Sequence, residues 1–319
     1  MEKFNWEIVS GSAGFGRKVT ATISRNGDLI HRMFLRVKLP AVTVASGTFR
    51  WLNWVGHILL KSVEIEIGGQ RIDKHYGEFL HIWNELTQTA GKQLGYANMV
   101  GNTPRLTNET SGNVAEEVLY IPLEFWFNRN AGLALPLIAL QYHEVKVNIE
   151  FRDKTDCYWS SGASNATVGD LDASLFVDYI YLDTDERRRF AQVSHEYLID
   201  QLQFTGDESV SSSSPKIKLN FNHPVKELIW CVTKDTFTDA TASATYKGKQ
   251  WFNFTDDWDK TYTSSAAWGT GASNILFPTE SNAGVMPGVA AGGANNVFIP
   301  VSFEDGKNPV TTALLQLNG

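Results

Sequence analysis

The sequence predicts an all-β protein made of antiparallel sheets, with little helix. Three observations predict this fold class: apolar residues recur at every second position, turn-forming pairs follow the runs, and helical spacing is scarce. Because successive side chains on a strand point to opposite faces, each alternating run has one buried face and one solvated face. Such strands are typical of antiparallel sheets, whereas strands of a parallel sheet are apolar throughout.

Alternating runs occur in both halves of the chain. They lie at residues 18–24, 32–39, 63–67, 145–151 and 216–222. Other runs are apolar on both faces and predict inner strands that are covered on both sides. These runs lie at residues 118–127, 175–182 and 228–232.

Pairs of turn residues punctuate the runs. Asn26-Gly27 lies between two alternating runs and predicts a β-hairpin, because both central residues of a type I′ turn need positive φ. Gly68-Gly69 closes the run at 63–67 in the same way. The glycine-rich segment at 11–16 lacks the strand-then-helix context of a phosphate-binding loop, so it predicts a bend.

Two segments have the spacing of a helix. Residues 76–89 carry one apolar stripe at intervals of three and four. Its members are Phe79, Leu80, Trp83 and Leu86. Residues 183–192 predict a short helix with Asp183 or Thr184 as N-cap and Glu186 in its first turn. The chain divides near this second helix, since one set of strand candidates precedes it and another follows.

Composition excludes several classes of function. The 319 residues allow one large domain or two of ordinary size. A net charge of −7 gives no basic field for nucleic-acid binding. The longest apolar run, at 131–140, is broken by Pro136 and is too short to span a bilayer. Cys157 and Cys231 cannot form a disulfide framework, so two reduced thiols are expected.

No group of residues predicts a catalytic or metal centre, and no cofactor is expected. Cupin-type metal sites need a His-x-His pair, because imidazole nitrogens must converge from neighbouring strands. The histidines are His31, His57, His75, His81, His143, His195 and His223, and none is two residues from another. The chain has no Gly-x-Ser-x-Gly elbow, and the acidic pairs at 116–117 and 256–257 predict solvated charge.

Other features leave alternatives open. The triplet Arg187-Arg188-Arg189 could bind phosphate or an acidic partner, but a solvated linker helix is the favoured interpretation. Possible glycosylation acceptors, in turn-rich segments, are Asn108, Asn165 and Asn253. A glycan-binding or glycan-processing β-sandwich is the alternative function. It would use the residues Trp251, Trp258, Asp256, Asp257 and Asp259.

Six sequence blocks resemble the major capsid proteins of nucleocytoplasmic large DNA viruses, of the algal (phycodnavirus-like) type. They are KVTATISRNGDLI (18–30), VEIEIGGQRIDKHYGEF (63–79), GLALPLIALQYHEVKV (132–147), YIYLDTDERRRFAQVSHEYLIDQLQFTG (179–206), KLNFNHPVKELIWCV (218–232) and ALLQLNG (313–319). Single blocks such as ALPLIALQYHE are already specific, and all six occur in the family's order.

The resemblance implies a double jelly roll, that is, two consecutive eight-stranded antiparallel sandwiches. The first roll would occupy residues 1–184, with a short N-terminal strand or arm. Residues 185–196 would connect the rolls, and residues 197–319 would form the second. Family members begin earlier and continue past the final block. The second roll is therefore expected to lack its C-terminal strands, as in a fragment of a longer gene product.

The resemblance also implies a structural function without enzymatic activity. Three chains would form a homotrimer, a pseudo-hexagonal capsomer that tiles an icosahedral capsid. The expected partners are neighbouring capsomers and minor capsid and penton proteins. No direct contact with nucleic acid is expected, and the internal viral membrane would be reached only indirectly. The expected location is the outer shell of the virion, assembled in the host cytoplasm.

Overall fold

The computed structural model describes residues 2–7, 9–10, 12–162, 165–257 and 306–316. Fourteen strands are described, and all lie before residue 181. They are β1 (Glu2–Glu7), β2 (Val9–Ser10), β3 (Lys18–Thr22), β4 (Leu29–Leu39), β5 (Val42–Val44), β6 (Phe49–Trp51), β7 (Leu60–Ile67), β8 (Gln70–His75), β9 (Glu117–Pro122), β10 (Leu135–Pro136), β11 (Val145–Phe151), β12 (Tyr158–Ser160), β13 (Ala166–Val168) and β14 (Asp172–Ile180). We call this part of the chain, from β1 to β14, the first roll.

The first roll contains two five-stranded antiparallel sheets. Sheet 1 has the order β1-β14-β4-β10, and β9 also pairs with β4. Sheet 2 has the order β2-β3-β11-β7-β8. Two small ribbons pair β5 with β13 and β6 with β12. The strands of five or more residues are β1, β3, β4, β7, β8, β9, β11 and β14, which are eight strands, as the jelly-roll expectation requires.

The alternating residues of these strands form the core. On β4 the apolar set Met33, Leu35, Val37 and Leu39 is buried, while the intervening side chains are partly exposed. The same alternation holds along β11, from Val145 to Phe151. The inner-strand prediction at 175–182 is confirmed over residues 175–180, since β14 pairs with β1 and β4 and is buried on both faces.

The hairpin prediction at Asn26-Gly27 is wrong. The strands before and after this pair, β3 and β4, lie in different sheets, and neither residue has positive φ. The pair forms a bend that carries the chain from sheet 2 to sheet 1. At Gly68-Gly69 both residues have positive φ, of 60° and 83°, and they join the paired strands β7 and β8.

Seven α-helices are described. They are α1 (Val55–Leu59), α2 (Gly77–Thr87), α3 (Ala90–Met99), α4 (Pro104–Thr107), α5 (Trp126–Arg129), α6 (Thr184–Gln192) and α7 (Ala242–Thr245). The run at 118–127 is therefore not one strand, because β9 ends at Pro122 and α5 begins at Trp126. None of the described helices is long and apolar enough to cross a membrane.

Helices α2 and α6 lie where the sequence predicts them. The buried residues of α2 are Gly77, Leu80, His81 and Asn84, whereas Leu86 of the predicted stripe is 63% exposed. At the start of α6, a carboxylate oxygen of Asp183 accepts hydrogen bonds from the backbone N–H groups of Asp185 and Glu186. This is the expected N-cap geometry.

After α6 the described chain contains little regular structure. Between residues 193 and 257, and from 306 to 316, the described elements are α7 and a 3₁₀ turn at Asp235–Phe237. The predicted runs at 216–222 and 228–232 form no strand here. The division into a second roll at 197–319 therefore stays a prediction.

Candidate functional site

A buried carboxylate joins the first roll to helix α6. Asp28 follows the bend between the two sheets, and its Oδ2 accepts hydrogen bonds from the Leu182 N–H and from Arg187, each at 2.9 Å. The backbone N–H of Asp28 donates to the Ile180 carbonyl, and its own carbonyl accepts from Ile138. One residue thus fixes the end of β14 and the first turns of α6.

The arginine triplet does not converge on one ligand. Arg187 is paired with Asp28, while Arg188 pairs with Asp185 on its own helix at 3.8 Å. Both Arg188 and Arg189 are exposed. This arrangement favours the interpretation as a linker helix over a phosphate site.

Replacing Asp28 with alanine is expected to lower the free energy of unfolding by about 2 kcal/mol, because the Leu182 N–H and the Arg187 guanidinium would both lose their acceptor. Asp172→Ala is the matched control, since Asp172 also pairs with an arginine but is exposed. The control should change stability by about 0.5 kcal/mol or less. Urea unfolding of both variants measures this, and equal effects would contradict the role of Asp28.

Residues 235–257, which we call the strap, dock on the first roll. Phe237 and Ala242 of the strap are buried. The strap also forms ion pairs from Lys247 to Glu109 and from Lys249 to Asp156, both at 2.7 Å.

The aromatic residues of the strap are part of the same contact. The Trp251 indole N–H donates to the Asp156 carbonyl at 3.0 Å, and the Arg152 guanidinium lies 4.1 Å from the Trp251 ring centre. The Trp251 side chain is therefore already bound to Asp156 and Arg152 of the same chain. This weighs against the glycan-platform alternative at that residue, while Trp258 and Asp259 lie outside the described residues.

A cluster of aromatic and histidine side chains lies beneath the strap. We call its members, Trp54, His57, His81, Tyr96 and Phe252, the histidine cluster. His81 stacks on Phe252 with ring centres 4.3 Å apart, and the rings of His57 and His81 are 5.7 Å apart. His57 Nε2 lies 2.8 Å from the Tyr96 hydroxyl. Helices α1, α2 and α3 and the strap therefore meet at two imidazoles.

Burial shifts the titration of these groups. It lowers the pKa of His57 well below the usual value, and the nearby His81 lowers it further. Burial also lowers the pKa of His81 to about 4. The pKa of Tyr96 is raised by burial and by the charge of Glu124. Both histidines are thus neutral at pH 7 in the folded chain.

A second buried contact holds the chain after α6 against β8. Asp73 and His75 are buried, and the carboxylate of Asp73 lies 3.0 Å from His75 Nε2. The other carboxylate oxygen of Asp73 accepts a hydrogen bond from the Leu202 N–H at 3.1 Å. Nearby, the rings of Tyr76 and Phe204 are 5.1 Å apart. The two halves of the chain therefore contact each other both here and along the strap.

The outer face of sheet 2 carries charges that are paired within the sheet. Glu64 on β7 lies 3.0 Å from Lys74 on β8 and 3.5 Å from Lys18 on β3. Burial works to raise the pKa of Glu64, but the hydrogen bonds and charges of these two lysines outweigh it, so the pKa is lowered. This face is polar, and the charges of Glu64, Lys74 and Lys18 are paired with one another within the sheet.

The predicted glycosylation acceptors differ in their surroundings. Asn253 is buried, and its amide nitrogen donates to Gln250 and to the Asp257 carbonyl. A glycan on this nitrogen would replace one of its two N–H donors and break one of these bonds, which weighs against acceptance at Asn253 in the folded chain. Asn165 accepts a hydrogen bond from Ser46, and Asn108 follows α4. Both are partly exposed and stay predictions.

The described residues contain no cluster of three or more histidine, cysteine or acidic side chains that could hold a metal ion. Cys157 is buried and Cys231 is exposed, and neither is in a disulfide. The sequence alone does not reveal the histidine cluster, because its two histidines lie on separate helices. The only local signal was the presence of aromatic residues around both.

Comparison with known proteins identifies the family. Residues 1–183 match the family profile described as the major capsid protein N-terminus, and residues 186–319 match the large eukaryotic DNA virus major capsid protein. The chain belongs to this major capsid protein family. Both halves match in order, which confirms the predicted recognition.

Individual major capsid proteins give the same result. The protein of Phaeocystis pouchetii virus is 44% identical over 98% of this chain and 73% of its own length. That of Pyramimonas orientalis virus is 63% identical over 70% of this chain and 54% of its own length. This chain therefore spans only part of the length of these relatives.

A solved capsid structure supports the fold class. The quasi-atomic structure of the PBCV-1 virus capsid matches with a TM-score of 0.59 and 40% identity, over 70% of this chain and 54% of the other. The solved relatives are double jelly-roll viral capsid proteins. The prediction of an all-β jelly-roll protein is therefore confirmed at the level of fold class.

Proposed function

We propose that this chain is a structural subunit of a trimeric, pseudo-hexagonal capsomer that tiles the icosahedral capsid of a large double-stranded DNA virus. The observation that supports this proposal most is the ordered match of both halves to capsid-protein families. The two antiparallel sheets, with the polar and internally paired outer face of sheet 2, fit a rigid building block. Its role is mechanical, and no catalytic activity is proposed.

The proposal includes the partners and the location. Neighbouring capsomers, minor capsid proteins and penton proteins would contact the trimer, and the internal viral membrane would be reached through them. Assembly would take place in the host cytoplasm and place the chain in the outer shell of the virion. Contact between subunits of an obligate trimer is expected to bury about 2,000 Å² or more per interface.

Light scattering coupled to size exclusion tests the trimer directly. At micromolar concentration the expected mass is three times the 35.5 kDa of the chain. A stable monomer under these conditions would contradict the trimer proposal. Electron micrographs of purified particles provide a second test, because pseudo-hexagonal trimers should be visible on their surface.

A further inference from the structure

We propose that the strap is an acid-sensitive latch, which stays docked on the first roll while His57 and His81 are neutral and detaches when they take up protons. The latch concerns the contact between the two halves of one chain and goes beyond the proposed function. It is carried by the position of the histidine cluster beneath the strap.

The first step is that the strap closes directly over the histidines. Phe252 of the strap stacks on His81 at an interplanar angle of 16° and also lies 6.2 Å from the His57 ring centre. On the other side, Trp54 stacks on His57 at an interplanar angle of 4°. Removing the strap would expose the imidazole of His81 to water.

The second step is that the cluster offers the imidazoles too few acceptors. A protonated histidine has two N–H donors, and each needs an acceptor when it is buried. Among the described residues, the buried Nδ1 atoms of His57 and His81 have no hydrogen-bond partner. A protonated ring can therefore satisfy its donors only by reaching water.

The third step is that neighbouring charges do not compensate for a positive charge on His57 or His81. The ionisable groups on or beside the surrounding elements include Glu78, Glu85, Lys92, Tyr96, Glu124, Arg152, Lys247 and Lys249. Glu78 pairs with Arg152, Lys249 pairs with Asp156, and Glu124 acts on Tyr96. Burial, which disfavours the carboxylate form, raises the pKa of Glu85. The two histidines act on each other, since the charge of one disfavours the charge of the other.

The size of the effect follows from the two protonation equilibria. His81 has a pKa of about 4 when the strap is docked, and the ordinary value of about 6.5 when it is in water. Lowering the pH from 7.5 to 5.5 should therefore favour the detached strap about tenfold through His81 alone. Protonation of His57 adds to this change.

Hydrogen exchange measured on the full chain at pH 7.5 and 5.5, corrected for the intrinsic pH dependence of exchange, tests the latch. Protection of the strap amides should fall about tenfold at pH 5.5, while β4 and β14 keep their protection. His81→Phe keeps an aromatic ring against Phe252 but cannot take up a proton, so its strap should lose less protection at pH 5.5 than the strap of the wild-type chain. His223→Gln, at an exposed histidine, is the control and should behave like the wild type.

Three results would overturn the proposal. One is unchanged strap protection in the wild-type chain, and another is an equal loss in His81→Phe. The third is loss of protection in β4 and β14 together with the strap, which would indicate general unfolding. If His81→Phe fails to fold, NMR titration of the histidines in the wild-type chain still tests the latch. The latch would be refuted if all histidines titrated near pH 6.5 with the strap still docked.

Discussion

Replacing Gly77 with alanine is expected to lower the free energy of unfolding by about 3 kcal/mol. Gly77 begins α2, directly against the end of α1. A Cβ atom at this position would lie 2.2 Å from the His57 carbonyl oxygen and 2.5 Å from the Leu60 carbonyl oxygen. Both obstacles are backbone atoms, so α1 and α2 would have to move apart. Urea unfolding of the purified variant measures the loss.

Gly95→Ala is the matched control for this change. Gly95 lies inside α3, and a Cβ there would meet nothing within 4 Å. Alanine has the higher helix propensity, so the control is expected to gain about 0.5–1 kcal/mol. If Gly77→Ala were as stable as Gly95→Ala, the close approach of α1 and α2 would be refuted.

Acid is expected to destabilise the wild-type chain more than the His81→Phe variant. The pKa of His81 is about 4 in the folded chain, below the value of about 6.5 in an unfolded chain. As the pH falls below 6.5, the unfolded state binds a proton that the folded state does not. His81 therefore costs stability progressively between pH 6.5 and 4, by up to about 3 kcal/mol at the lower end.

Attraction between a protonated His81 and the neighbouring aromatic rings would offset only part of the cost of burying its charge. A cation over an aromatic face is stabilised by about 0.5–2 kcal/mol, whereas burying an unpaired charge costs several kcal/mol. Urea unfolding of both proteins at a series of pH values measures the difference, which should widen from pH 6.5 downward. The acidic residues common to both proteins cancel in this comparison. Parallel pH profiles would show that His81 is not buried as a neutral group.

The sequence predicts the strands of the first roll well because their signal is local. Burial of alternate residues on β4 and β11 requires only a period of two. The error at Asn26-Gly27 has a different cause, since an Asn-Gly pair specifies a turn but not the sheet that receives the next strand. Here Asp28 binds β14 and α6 instead, and these partners lie more than 150 residues further along the chain.

The helical layer is harder to predict from sequence. Helix α3 contains Gly91 and Gly95 and has a weak apolar stripe, so propensity argues against it. The stripe of α2 is rotated from the prediction because its buried face is set by the contact of Gly77 with α1 and of His81 with the strap. The histidine cluster is likewise a product of tertiary packing, which no spacing of histidines reveals.

The pairing of β14 with β1 and β4 has a consequence for the order of folding. Sheet 1 is completed by a strand that ends at Ile180, yet its partners begin at Glu2 and Leu29. During synthesis, well over a hundred residues must therefore be added after β4 before its neighbour β14 leaves the ribosome. Such distant pairing slows folding and leaves apolar strand edges open in the nascent chain. Newly made chains should thus be most prone to aggregate just before β14 emerges.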